Sequence, residues 1–502
     1  MYLIACGLLF LLLSGIPGLF CSRNGRAGEF TSVAFILCGA LLGVVGIFVP
    51  VGPAELSIPL PVPDAAISLA RNPLSVVFLL PLYLVTAAGA VFGLSYWPQK
   101  DHPHNACRFR LFYGLIAFAM AGVFLSDNAF GFLLFWELMA VSGYFLITTE
   151  DERADVRQAG LIYFVSTHAG TLALLAMFGL VARDTGSFAF PAEGTLAASV
   201  PVFVLGIFGF GLKAGLMPLH IWLPAAHASA PSHASALLSG IMIKTGIYGL
   251  VRLTSFFDHI PMSFGATVLV LGILSGVMGV AFAVAQHDIK RLLAYHSVEN
   301  IGIIAMGLGL ALLGRSVDMP LLVVLGSGGA LLHVMNHGIF KPLLFYAAGA
   351  VIHGAGTRDI DLLGGIIHRA PRTALAFLVG AVAISGLPPL NGFVSEWFIY
   401  LAGFQSLLSG NRAMIAAALA IPALALIGAL ALACFVKVFG VVFLGAPRSP
   451  EAQNVHEASS SMQLAMAPLM LACAGIGLFP FAIAPLLDGA LAAWLPGYQA
   501  PE

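Results

Sequence analysis

Apolar runs long enough to cross about 30 Å of hydrocarbon recur from end to end of the chain. They lie near residues 2–21, 33–50, 73–96, 109–126, 128–148, 158–183, 200–224, 232–256, 264–286, 289–313, 320–353, 373–404, 413–445 and 462–495. The pattern predicts an all-α integral membrane protein of about 14 transmembrane helices joined by short loops. The longest connection, roughly 51–72, is rich in proline and lacks a helical period. No polar stretch between the runs is long enough to fold separately, so a single membrane domain is expected.

Composition agrees: 60% of the 502 residues are hydrophobic and 9% charged, where a soluble domain would have about 25% charged. The net charge of −1 gives no reason to expect nucleic acid as a partner. The six cysteines, at 6, 21, 38, 107, 434 and 473, show no metal-ligand spacing, and no dinucleotide or phosphate-binding glycine motif occurs. We therefore expect no cofactor and no metal in this chain. The run His102–Cys107 holds ligand-type residues but is short and lacks a fourth ligand. No basic region precedes the segment from Tyr2 to Phe20, and Arg23 and Arg26 follow it, which predicts an uncleaved anchor. Thirteen Lys and Arg residues fall in loops after odd-numbered segments, against Arg71, Arg183, Arg252, Arg315 and Arg412 on the other side. The positive-inside rule then predicts cytoplasmic odd loops and both termini outside.

The remaining cations, Lys213, Lys244, Lys341 and Lys437, sit inside apolar segments. A charge at mid-bilayer costs about 2.5–3.5 kcal/mol on insertion scales, so each asks for a partner, a hydrated cavity or a function. Glu137 in the fifth segment, His333 and His337 in the eleventh and Glu396 in the twelfth join them. His333, His337 and Lys341 are four residues apart and so share one helix face, as a proton relay requires. Snorkelling or hydrogen-bonded packing explains any one of these groups. It is a poorer account of the seven other than Lys437 taken together, with both signs present. A Glu137–Lys213 ion pair would let protonation of one member release a proton from the other toward Lys244. His168, His227 and His233 are candidates for proton entry or exit, or for ordinary hydrogen bonding, and Lys437 is secondary because it can snorkel. His296 and Glu299 are placed to cap or pair locally.

Two segments carry helix breakers: Pro218 and Pro224 follow Lys213 in the seventh, and Pro388 and Pro389 precede Glu396 in the twelfth. Breaks five segments apart suggest a duplicated five-helix unit, whose second copy must insert inverted. That offset matches Lys213 with Glu396, and Lys244 with Lys437.

The runs LLFWELM around Glu137, GLKAGLMPLHIWLPAAHASAPSHASALLSGIMIKTGIYGL around Lys213 and Lys244, DIKRLLAYHSVENIG, HVMNHGIFKPLLFYAAGAVIH and SGLPPLNGFVSEW resemble a known family. These are the antiporter-like, proton-translocating membrane subunits of respiratory complex I, membrane-bound hydrogenases and multisubunit cation/proton antiporters. The resemblance covers about the fourth to thirteenth segments. Through HASAPSHASALLSGIMIKTGIYGL, YHSVENIG and STHAGT it is nearest to the formate hydrogenlyase and hydrogenase-4 branch. It implies residues 1–108 as N-terminal helices, 109–260 and 261–446 as inverted five-helix bundles with one half-channel each, and 447–502 as a last helix.

By the same resemblance Glu137 and Lys213 form the ion pair, Lys244 relays, His333, His337 and Lys341 connect, and Glu396 is the terminal group. Relatives carry Lys or Glu at that last position. Some larger relatives continue past the fourteenth helix into a long lateral helix, and this chain ends at Glu502. The function implied is proton translocation by a non-redox subunit of a redox-driven complex in a bacterial or archaeal inner membrane. Partner membrane subunits, protons or sodium, and the lipid bilayer are the expected partners, with iron–sulfur clusters and a nickel–iron centre or flavin in the partner subunits. A sodium/proton antiporter subunit without redox partners is the alternative. A scaffold whose buried charges only specify packing is a third reading.

Overall fold

A computed structural model describes residues 1–20, 26–61, 66–409 and 411–495. Arg23 and Cys21 lie outside them. In chain order the helices begin with α1 (Tyr2–Leu13), α2 (Ile16–Phe20) and α3 (Ala27–Phe48), then a hairpin of β1 (Glu55–Pro59) and β2 (Ala66–Ala70). Next come α4 (Pro73–Tyr96), α5 (Ala106–Leu125), α6 (Ala129–Ile147), α7 (Ala154–Thr185), α8 (Val200–Ala214), α9 (Leu223–Ser229), α10 (Ser232–Leu237) and α11 (Ile243–Phe256). The chain continues through α12 (Met262–Val284), α13 (Ile289–Ser316), α14 (Pro320–Ala355), α15 (Pro371–Ile384), α16 (Asn391–Leu407) and α17 (Arg412–Ala417). It ends with α18 (Ala420–Phe443), α19 (Pro450–Gln453), α20 (Ser460–Leu478) and α21 (Ala484–Ala492).

Among the described residues twelve helical stretches are long and apolar enough to cross a membrane, and α8 and α15 are shorter apolar helices. The architecture is all-α integral membrane. The two short helices are the first halves of the seventh and twelfth segments, each ended by a break. Gly215 and Gly386 stand at these breaks with φ of 78° and 63°, left-handed values that glycine adopts without a Cβ penalty. Past each break the chain turns helical again, at α9 and α16.

The chain forms two compact units. The first comprises Met1–Ala214, Ser229–Asp258 and the chain from Asp488, the second Gly215–Ala228 and His259–Leu487.

In the first unit, the connection expected to be irregular is an antiparallel hairpin in which Glu55 faces Ala70 and Ser57 faces Ser68. Alternation was hidden there by prolines at the strand ends. The hairpin anchors the turn before α6, since Asp127 N donates to Ser68 O (2.9 Å) and Asn128 Nδ2 to Ala66 O (2.6 Å). Asn128 also caps α6 by accepting from Gly131 N at 2.9 Å. Arg252, at the end of α11, ties the same turn to the α7–α8 loop through Asp127 (3.1 Å) and Glu193 (3.0 Å). Burial pushes the Asp127 carboxyl above its usual range, with Arg252 acting the other way. Along α7, Leu161, Val165 and Leu172 are 60%, 59% and 67% exposed, an apolar stripe suited to lipid or to another membrane chain.

In the second unit, α12 and α13 cross on glycines. A Cβ on Gly302 would lie 2.3 Å from the Gly276 nitrogen, and one on Gly279 would lie 2.6 Å from the Glu299 nitrogen. Close backbone approach through small residues is a strong source of helix association in lipid. Gly302→Ala is expected to destabilise the chain by about 1–3 kcal/mol through overpacking, read as a lower melting temperature in detergent. An unchanged melting point would show that the crossing yields without cost. Arg252→Ala should cost about 1–3 kcal/mol by leaving two half-exposed carboxylates without their cation. Full accumulation and thermal stability of that variant would show the tie to be dispensable.

Candidate functional site

In the first unit the α6 cap sets the register that carries Glu137 and Trp136. Glu137 does not bond to Lys213, as the sequence suggested; its Oε2 meets His168 Nε2 at 3.2 Å. Lys213, in the last turn of α8 and 2% exposed, donates instead to Thr167 Oγ1 at 2.5 Å. Its Nζ also stands over the Trp136 and Tyr163 rings, 5.1 and 5.6 Å from their centroids, where the ring faces attract a cation. Consecutive α7 residues, Thr167 and His168, thus hold the cation and the anion separately. Glu137 remains near enough for its charge to act on Lys213. His168 Nδ1 also lies 2.8 Å from Phe164 O.

Lys244 follows a π-helical turn at Leu238–Met242 and is 2% exposed. Its Nζ donates to Ser239 O at 2.8 Å, within the widened turn. Such single π turns recur at functional sites. His233 is packed among Phe92, Tyr96, Phe109 and Tyr113, with ring centroids 4.5–6.3 Å away.

In the second unit the three α14 groups His333, His337 and Lys341 are fully buried. His333 bridges two helices, with Nδ1 2.9 Å from Ser395 Oγ on α16 and Nε2 3.0 Å from Asn300 Oδ1 on α13. Asn336 donates to Ser395 Oγ (3.0 Å) and to Asn391 O (2.7 Å), and Asn391 returns a bond to Asn336 Oδ1 (3.1 Å). His337 packs against the Phe340 ring, 5.4 Å between centroids. Lys341 Nζ is buried without a hydrogen-bond partner, 6.0 Å from the Phe345 ring centroid. The residue after it, Pro342, cannot donate to the Gly338 carbonyl, so the helical hydrogen-bond ladder is interrupted beside Lys341. Glu396 is 7% exposed, and its carboxylate lies against Gly386, where a Cβ would come within 2.4 Å of Oε2. The twelfth-segment break therefore makes the space that this carboxylate occupies.

Pro218 lies in the first break, Pro224 in the first turn of α9, and Pro388 and Pro389 in the second break. His227 on α9 faces the Trp222 and Phe345 rings at 6.0 and 6.2 Å. Lys437 Nζ donates to the Val284 and Gln286 carbonyls at 2.8 and 3.4 Å, closing the end of α12, a position that suits a cation. His296 and Glu299 pair directly. His102 stacks on Trp97 at 3.5 Å. Among the described residues no group of three or more His, Cys, Asp or Glu side chains could hold a metal ion.

Sequence reasoning missed Thr167, Asn300, Asn336, Asn391 and Ser395. A usable signal existed for three: Asn300 adjoins Glu299, Asn336 is three residues past His333, and Ser395 adjoins Glu396. Ser395→Ala should cost about 1–3 kcal/mol, since it deprives both His333 and Asn336 of a buried partner. The check is thermal unfolding of the purified chain, and wild-type stability would mean that the network re-forms without the hydroxyl.

Residues 126–421 match the family described as NADH:quinone oxidoreductase/Mrp antiporter, transmembrane. The chain is 40% identical over 433 residues to hydrogenase-4 component B of Escherichia coli (strain K12), covering 84% of this chain and 64% of the relative. It is 36% identical over 427 residues to formate hydrogenlyase subunit 3 of the same organism, covering 84% and 68%. The matches thus span about two thirds of the length of these relatives. A subunit of the Mrp complex from Dietzia sp. DQ12-45-1b has the same fold, with a TM-score of 0.81 at 21% identity, covering 99% of this chain and 97% of that one.

Proposed function

Starting from the fact that the chain belongs to the NADH:quinone oxidoreductase/Mrp antiporter membrane family, we propose that it moves protons across the membrane as a non-redox subunit of a hydrogenase-type complex driven by electron transfer. The observation that carries the proposal is the set of buried ionisable groups in each unit, with Lys213 beside a helix break and Lys244 beside a π turn. Lys213, Lys244, His333, His337 and Lys341 are each no more than 2% exposed. Scaffold residues could be apolar at these positions with less cost. Proton-carrying groups cannot.

In this reading protons pass through Glu137, Lys213 and Lys244 in the first unit and through His333, His337, Lys341 and Glu396 in the second. His168, which meets Glu137, stands with His227 and His233 as a secondary group. Residues 109–260 and 261–446 act as the two inverted five-helix bundles, and both termini lie outside an inner membrane. Glu137 and His168 are each about one third exposed at their side chains, beside the apolar stripe of α7. An ion pair left there against hydrocarbon would be costly, which supports a neighbouring membrane subunit on that face. Iron–sulfur clusters and a nickel–iron centre or flavin belong, in this reading, to partner subunits. The 84% coverage by the hydrogenase-type relatives favours it over the sodium/proton antiporter reading.

Two experiments test the proposal. Native purification in mild detergent should bring down iron-containing redox subunits, identified by mass spectrometry and assays for iron, nickel and flavin. Small membrane partners alone, without redox metal, would indicate the antiporter instead. Glu137→Gln and Lys244→Ala should each lower coupled proton transport by about tenfold or more while assembly is kept. Wild-type transport in both variants would remove these residues from the pathway.

A further inference from the structure

The two units repeat one arrangement of charges with residues drawn from different helices. In the first, the Glu137 carboxylate meets an imidazole, His168, while the Lys213 ammonium stands apart within range of its charge. In the second, Glu299 meets the imidazole of His296 and Lys341 stands apart within range of the Glu299 charge. The carboxylates sit on the fifth and tenth membrane segments, the same five-segment offset that relates the two helix breaks.

The surroundings of Glu299 show that it is more than a structural hydrogen-bond acceptor. It is fully buried, its Oε1 has no hydrogen-bond partner, and Lys341 Nζ has none either. A structural carboxylate in such a place would have its lone pairs satisfied, because an ionised and half-satisfied buried acid is costly. On the α12 side Gly279 brings the backbone close to Glu299, so that an added Cβ there would lie 3.2 Å from the Glu299 Cβ. The Phe435 ring stands 4.6 Å from the His296 ring. Asn300, the next residue, donates to His296 O at 2.8 Å and thereby joins this pair to the His333 network.

We propose that Glu299, positioned by His296, is the proton-binding counter-charge of Lys341, so that the second unit carries its own switching pair as the first carries Glu137 and Lys213. The proposal rests on the proton-translocating reading above and adds a site to it. In the charged state Lys341 holds its proton and Glu299 is ionised. When Glu299 takes up a proton through His296, Lys341 loses its counter-charge and gives its own proton to the next acceptor in the relay. One proton enters at Glu299 for each that leaves Lys341. No electron moves.

The test compares Glu299→Gln with Glu137→Gln in the intact complex, reconstituted in proteoliposomes, with proton flux and subunit composition measured together. Glu299→Gln should lower flux by about tenfold or more with all subunits present, and Glu299→Asp should recover part of it. Wild-type flux in Glu299→Gln beside an impaired Glu137→Gln would overturn this proposal and leave the broader reading intact. Wild-type flux in both would overturn the broader reading. If Glu299→Gln fails to assemble, infrared difference spectra of the native complex and Glu299→Asp decide. A carboxyl band that appears on acidification and shifts in the Asp variant supports the site, and identical spectra overturn it.

Discussion

The cost of placing a charge in hydrocarbon governs this molecule. Each buried cation is given just enough compensation to be tolerated. Lys213 has one hydroxyl and two ring faces, and Lys244 has a carbonyl of its own helix. Lys341 has a distant carboxylate and the edge of an aromatic cluster. Lys213 and Lys341 make no close carboxylate bond that would fix them permanently in the charged form. Full compensation would make these lysines inert, and none at all would prevent insertion. The observed middle course leaves the charge of each group dependent on that of its neighbours.

Backbone irregularity supplies what side chains cannot. Helices satisfy their own polar groups, so a continuous helix offers nothing to a passing charge. At Gly215, at Gly386, in the π turn before Lys244 and at Pro342, the ladder opens beside an ionisable residue. The second break also gives Glu396 a place for its carboxylate against a glycine that has no side chain to exclude it. Breaks and charges are therefore one design, with the first providing room and dipoles for the second.

Hydropathy alone predicted about fourteen segments, of which twelve are long apolar helices among the described residues and two carry the shorter helices α8 and α15, because burial in lipid imposes apolar runs that tolerate few exceptions. The exceptions were equally visible: Glu137, Lys213, Lys244 and Lys341 stand out against their surroundings. The partners of these groups were harder to read. Thr167 looks like any membrane threonine bonded to its own helix, and nothing local says that it takes Lys213 from Glu137. His168 was seen only as a possible port for protons, since its position opposite Glu137 depends on how α6 and α7 pack. His296 and Glu299 were seen to be able to pair, but their depth and their relation to Lys341 are tertiary facts. The β1–β2 hairpin escaped because prolines mask its alternation.

The glycine seam between α12 and α13 bears on how such a machine can move. Two helices whose backbones touch at Gly276 and Gly302 cannot slide without collision, and they cannot separate without losing the contact that lipid does not replace. They form a fixed frame for the second unit. Glu299 is mounted on that frame, with its backbone against Gly279. If the second unit moves protons as proposed, the parts free to change place on this frame are the lighter ones: the long arm of Lys341, the ring of a histidine, or the turn at 385–390.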